Sequence, residues 1–387
     1  MTILLVFSAG IISQAQTPNF KMLIKKVQSV QKQLVPDKRV AIFDVSLNDT
    51  TKPVITVSGK TSLPEGKTQI LKLLSANGIQ FVDSLQVLPQ ASLGDKTWGL
   101  STLSESSMRS GPDHPAELVS QALMGTPVKV LEKEGSWYRI QTPDQYIGWV
   151  DGRGIARKTE AEMTLWKQSR RFIFNQTYGY ALAAPKKNAP HISDLVLGDL
   201  FEIVSEKNGY LQMIFPDGRT GFVKKADCLS FQEWTNQKPD AQNIISVAKE
   251  MLGVPYLWGG ASCKAVDCSG MTKTAYYAKG IILARDASQQ GRYGEHLDIN
   301  NLTGLEPGDL LFFGRSVQRI THVGLYMGNN KYINSAGLVR INNINPEDPD
   351  FNASDRKDLV AACRVLNSLN TEGITLVKDH PWYSVQK

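Results

Sequence analysis

Cys268 is the residue of this chain with the strongest claim to be a nucleophile. It stands in Asp267-Cys268-Ser269-Gly270, at the head of a helical pattern that runs through Thr274, Ala275 and Ala278 to Gly280. A cysteine in the first turn of a helix meets unpaired backbone N–H groups and the positive end of the helix dipole, both of which favour the thiolate. A cysteine considered alone is more often a buried packing residue, so a matching base has to be found. His322 supplies it, on the strand-like run His322–Met327 that follows a first strand, Gly308–Phe313. The turn Gly328-Asn329-Asn330 then returns the chain as Lys331–Ser335, which sets Asn334 opposite or diagonal to His322. A thiol, an imidazole to take its proton and an amide to orient the ring form the apparatus of acyl transfer through a thioester. Cys263 lacks that local context, and Cys228 and Cys363 read as packing residues. Four cysteines in 387 residues make no disulfide framework. With five histidines and no ligand-like spacing, neither a metal nor a cofactor is expected.

The elements around these residues divide into several units. Ile244, Val247, Ala248, Met251 and Leu252 form a helical stripe that stops at Gly253, with Pro255 beyond, so a unit carrying the chemistry spans residues 240–387. Upstream, Gly125–Val150 aligns without a gap to Gly198–Val223, matching Val128 with Phe201, Trp137 with Tyr210, Pro143 with Pro216, Asp144 with Asp217 and Trp149 with Phe222. Each copy alternates as short strands with a Pro-Asp turn, which predicts two small β-barrels at 96–157 and 171–232 and a polar connector over 158–170. Residues 20–95 mix helical and strand periods and predict a small α+β domain with a structural or docking role. The expected fold class is therefore multidomain: a small α+β domain, two SH3-like barrels and an α+β catalytic domain. The apolar run Ile3–Ile12, followed by Ser13-Gln14-Ala15, has the length and small-x-small ending of an export signal over residues 1–15, although no positive residues precede it. This predicts an exported protein of the periplasm or cell envelope. No stretch is long enough to span a membrane as a helix. The 43 basic and 37 acidic residues give +6 without the dense basic runs of a nucleic-acid footprint, and a monomer is expected.

Four motifs, Tyr256-x-Trp258-Gly-Gly, Asp-Cys268-Ser-Gly, Pro307-Gly-Asp-Leu-x-Phe-Phe and Thr321-His-Val-Gly-x-Tyr-x-Gly, together resemble the NlpC/P60 cysteine peptidases of bacterial peptidoglycan. The upstream repeat is similar to bacterial SH3 (SH3b) domains. The pairing of the two resembles the subgroup that hydrolyses the γ-D-glutamyl–L-diamino-acid bond of free muropeptides. The resemblance implies a papain-like catalytic fold with Cys268 as nucleophile, His322 as general base and Asn334 in a third position often held by histidine. It further implies that Asp267 binds the free amine of an N-terminal L-Ala and that Tyr256, Trp258 and Ser269 line the pocket. Asp286 and Ser288 belong to a substrate-side motif, and Glu117 and Tyr146 of the first SH3b module close the cleft. Tyr146 faces Arg219 in the second copy, an asymmetry that favours a special role. Two other readings are a catalytically weak wall-binding protein and an amidase or acyltransferase on the same core.

Overall fold

The computed structural model describes residues 20–49 and 51–385; the candidate export signal lies outside them. The chain forms two compact units divided between Leu88 and Pro89. In the first, the strand Val54–Thr61 pairs antiparallel with Phe43–Asn48 and parallel with Gln80–Val87. A parallel neighbour requires a crossover, which the helix Pro64–Ala76 provides. Proline is tolerated at this helix start because its missing N–H would be unpaired there anyway. Leu23 and Val27 of the helix Phe20–Leu34 close a core with Ile55, Val57, Ile70 and Leu74.

In the second unit each copy of the repeat becomes a seven-stranded antiparallel sheet, one from Trp98–Ser101 to Ile155–Lys158, the other from Arg171–Phe174 to Cys228–Ser230. Barrel closure was expected, but among the described residues no ladder joins the end strands of either sheet. In the first sheet the end strand Leu118–Leu123 is occupied instead by the catalytic region. Gln121 Oε1 accepts from Ala261 N at 2.7 Å, and Gly259, at φ +78°, sits so close to Leu118 O that a Cβ would lie 2.4 Å from it. The connector between the copies contains a helix, Glu160–Gln168, with Thr159 and Glu162 forming a reciprocal cap. Met163 and Trp166 bury its inner face against Leu100, Ile173 and Tyr383. The polar composition of this stretch hid its two apolar anchors, although the Thr-x-x-Glu cap was readable.

The largest of the remaining sheets has six antiparallel strands in the order Glu295–Leu297, Leu359–Arg364, Leu310–Gly314, Ile320–Gly328, Lys331–Ala336, Leu338–Asn343. The helix Cys268–Tyr277 packs on the strand Ile320–Gly328 and the helix Ala241–Glu250 packs on it in turn. Ile244, Val247, Ala248 and Met251 are buried as their spacing predicts. Leu252 is 46% exposed because the helix ends at Glu250 and the chain leaves through Gly253 at φ +84°.

Candidate active site

Asp267 caps the helix that begins at Cys268, its carboxylate accepting from Gly270 N at 2.7 Å. Gly270 is obligatory there: a Cβ would lie 1.9 Å from Gly260 O. The glycines of the two motifs thus pack backbone on backbone and fix Cys268 at the first helical position. The return of the chain beyond His322 is equally local. Gly328, Asn329 and Asn330 all take positive φ, the conformation a tight hairpin turn demands and that Gly and Asn adopt most readily. The ladder pairs Leu325 with Ile333, which leaves Asn334 diagonal to His322.

Cys268 is buried, with its thiol beside the backbone N–H groups of Val323 and Ser269. Burial, reinforced by the Asp267 charge, pushes the thiol up to about 11 despite those two donors and Arg285. The thiolate expected from a helix start is thus not the resting form at this site. Burial also holds His322 below its ordinary value, opposed by the Asp355 charge and by Asn334. Both groups therefore rest neutral near pH 7, as thiol and imidazole. His322 Nε2 and Asn334 Oδ1 are buried without hydrogen-bond partners among the described residues. They are complementary, an N–H to donate and a carbonyl to accept, and Asn334 Nδ2 is held 3.5 Å from Asn342 Oδ1.

Asp267 is held by several partners within the protein. Its Oδ1 accepts from Gly270 N, Ser269 Oγ at 3.1 Å and Arg285 Nη1 at 3.1 Å, while Oδ2 accepts from Gly259 N at 3.0 Å and Arg285 Nη2 at 2.6 Å. Two of these five hydrogen bonds come from one fully buried guanidinium, so the carboxylate is ion-paired beside the nucleophile. Ser269 belongs to the same network, accepting from Arg285 Nη1 at 3.1 Å, and is buried. Arg285 reaches the first sheet as well, with Nε donating to Ser120 Oγ at 3.1 Å. The sequence marks Arg285 only as the residue before Asp286; its pivotal position depends on three segments meeting.

The first sheet also meets the catalytic region at the rim of the site. Trp258 Nε1 donates to Glu117 Oε1 at 2.7 Å, and Tyr146 OH donates to Asp286 Oδ2 at 3.2 Å. Asp286 caps the short helix Ala287–Gln290, which carries the half-buried Ser288. Glu117 is exposed, Asp286 half-buried and Trp258 61% exposed, so this rim is open to a ligand. Tyr256 stands near Cys268 and Asp267, and burial, followed by the repulsion an ionised Cys268 and Asp267 would exert on a phenolate, pushes its phenol up to about 12. It remains a hydrogen-bond donor throughout the neutral range. All four cysteines are free, and among the described residues no three His, Cys, Asp or Glu side chains converge as metal ligands would.

Two regions of the chain match known families. The NlpC/P60 family profile matches residues 253–351 and the bacterial dipeptidyl-peptidase Sh3 domain matches residues 108–155. Dipeptidyl-peptidase 6 of Lysinibacillus sphaericus is 28% identical over 277 residues, 67% of this chain and 94% of that protein. The gamma-D-glutamyl-L-lysine dipeptidyl-peptidase of Bacillus subtilis (strain 168) is 29% identical over 226 residues, 56% of this chain and 71% of its own length. A solved NlpC/P60 family protein from Bacillus cereus ATCC 10987 shares the fold, with a TM-score of 0.60 at 22% identity, covering 69% of this chain and 99% of that one.

Proposed function

Because this chain is a peptidase carrying an NlpC/P60 domain behind an SH3-like domain, homologous to dipeptidyl-peptidase 6, we propose that it cleaves the γ-D-glutamyl–L-diamino-acid bond of peptidoglycan stem peptides whose N-terminal L-Ala is free. The observation that carries the catalytic half is the juxtaposition of the Cys268 thiol with the N–H of Val323, the residue after His322. His322 takes the thiol proton, and the sulfur attacks the γ-carbonyl of D-glutamate. The developing oxyanion is stabilised by N–H groups of the helix start and by the Tyr256 hydroxyl. The imidazolium then protonates the departing amine of diaminopimelate or lysine, and water, deprotonated by the same imidazole, releases L-Ala-γ-D-Glu from the thioester. Since the thiol and imidazole rest neutral, the proton moves when substrate arrives, and Asn334 orients the ring as its charge develops.

The amine end is recognised by Asp286 and Glu117, with Tyr146 and Trp258 holding those carboxylates; Asp267 acts through Arg285 to build the wall behind Cys268. Such a site discriminates strongly, because a substrate lacking the ammonium leaves carboxylates desolvated and unpaired. A location in the cell envelope follows from the substrate. The test compares L-Ala-γ-D-Glu-diaminopimelate with its N-acetyl derivative. The free peptide is expected to have a kcat/KM at least ~100-fold higher. Equal values would refute recognition of the amine, and turnover of intact sacculi in preference to the free peptide would point to an endo-acting wall hydrolase.

A further inference from the structure

Tyr146 lies at the end of a turn whose position is not set by the first sheet alone. Thr142 N donates to Tyr146 O at 3.0 Å and Gln145 N to Thr142 O at 2.8 Å, with Gln145 at φ +66°. At the centre is Asp144, its side chain wholly inaccessible, ion-paired to Lys273 Nζ, which is only 18% exposed. Thr142 Oγ1 also donates to Asp144 Oδ1, and Tyr146 N lies 3.5 Å from that oxygen. Lys273 is on the helix that opens with Cys268. On the other side of the turn, Pro143 O accepts from His380 Nε2 at 3.1 Å, and His380 Nδ1 accepts from Trp382 N at 3.2 Å.

The second copy supplies an internal control. Its equivalent Asp217 accepts from its own neighbour Arg219 at 2.7 Å, with both side chains more than a third exposed. The Pro-Asp turn therefore needs no buried lysine to form. In the first copy the aspartate keeps Thr142 as a local partner through Oδ1 and gives its other oxygen to a lysine of the nucleophile helix, while the residue two positions on is the tyrosine that meets Asp286.

We infer that the Asp144–Lys273 pair is a positioning device for substrate selection: it ties the turn bearing Tyr146 to the helix bearing Cys268, so that the amine-binding rim is held in register with the nucleophile. Lys273 touches neither the reacting atoms nor the amine. Its removal leaves the Asp144 carboxylate buried without its counter-charge, and the turn relaxes toward solvent, carrying Tyr146 away from Asp286. This rests on the proposed recognition of a free amine.

The experiment measures kcat and KM of wild type, Lys273→Met, Lys273→Arg and Asp144→Asn on L-Ala-γ-D-Glu-diaminopimelate and its N-acetyl derivative. Lys273→Met is expected to raise KM for the free peptide by ~10-fold, the scale of one lost charge-assisted hydrogen bond, with kcat within about twofold and the N-acetyl peptide little changed. Lys273→Arg restores most of the difference. In a Tyr146→Phe background, Lys273→Met adds little further loss of discrimination. Should Lys273→Met fail to fold, Asp144→Asn, which keeps the shape and the acceptor for Thr142 while removing the charge and the acceptor facing Lys273, carries the same expectation. Unchanged discrimination in a folded variant overturns the inference, as does a loss of kcat equal on both peptides, which would assign the pair to helix stability. A wild type indifferent to N-acetylation would instead overturn the recognition of the amine on which the inference rests.

Discussion

The two copies of the repeat fold alike and do different work. Both have the Pro-Asp turn, and both place a Gly-aromatic pair in the strand that follows it, at Gly148-Trp149 and Gly221-Phe222. In the first sheet, Glu117, Ser120, Gln121, Asp144 and Tyr146 all reach residues of the NlpC/P60 region. The second sheet meets the same region at Asp194, which pairs with Lys264 Nζ at 2.6 Å, while that lysine also donates to Ser104 Oγ of the first copy at 2.9 Å. Its exposed aromatics meet one another, Tyr178 edge to face with Tyr180 and Tyr180 stacked on His191. A sheet becomes part of a site when its edge and turns carry groups whose burial is completed by the other domain. Substitutions there are expected to alter turnover, and those in the second copy to alter stability alone.

The largest effect sets the scale for that contrast. Cys268→Ala removes the attacking atom and should abolish turnover with the fold retained, while Cys263→Ala should leave rates within about twofold. Loss of turnover in the second variant and not in the first would move the nucleophile.

Next in size are the rim residues. Asp286→Asn and Glu117→Gln should each lower kcat/KM for the free peptide ~10- to 100-fold and narrow the gap to its N-acetyl form. Arg219→Ala, at the second copy's equivalent of Tyr146, should change neither. Comparable losses from both sheets would erase the distinction drawn between them.

Acidity probes the catalytic pair. The His322 pKa is held below 6.5, chiefly by burial, so the acid limb of the kcat/KM profile should fall below pH 6.5. The same sign applies to stability. A histidine with a depressed folded-state pKa binds fewer protons folded than unfolded, so its contribution is complete above 6.5 and is lost as pH falls toward the folded value. His380, lowered by burial against the turn at Pro143, adds to this loss, and His380→Gln should flatten the dependence of Tm on pH. Asn334→Ala should lower kcat by ~10-fold by freeing the imidazole, and Asn334→His should retain activity with a displaced profile. A wild-type profile from Asn334→Ala would show that another group holds the ring.

The smallest effect belongs to the second sheet. Lys264→Met should cost about 0.5–1 kcal/mol of stability, since the pair is about a third exposed and screened by solvent. The ratio of free to N-acetyl turnover should not move, and a change in that ratio would give the second sheet a share in selection.

The amino-acid sequence was sufficient wherever the determining interactions are local. The helix start at Cys268, the Asn-Asn turn and the diagonal of Asn334 to His322 all follow from residue type and short spacing. The repeat likewise foretold two similar sheets. Tertiary structure decided what a charge sees. Asp267 and Arg285 are 18 residues apart, and Asp144 and Lys273 are 129 apart; nothing in either neighbourhood announces that the first carboxylate is neutralised and the second buried. The same holds for Cys268, where a helix start argues for a low pKa and burial on all sides raises it to about 11. Backbone geometry is set by neighbours in the chain, whereas the free energy of a charge depends on every dipole and every water excluded around it, and those arrive only when distant segments close over the site.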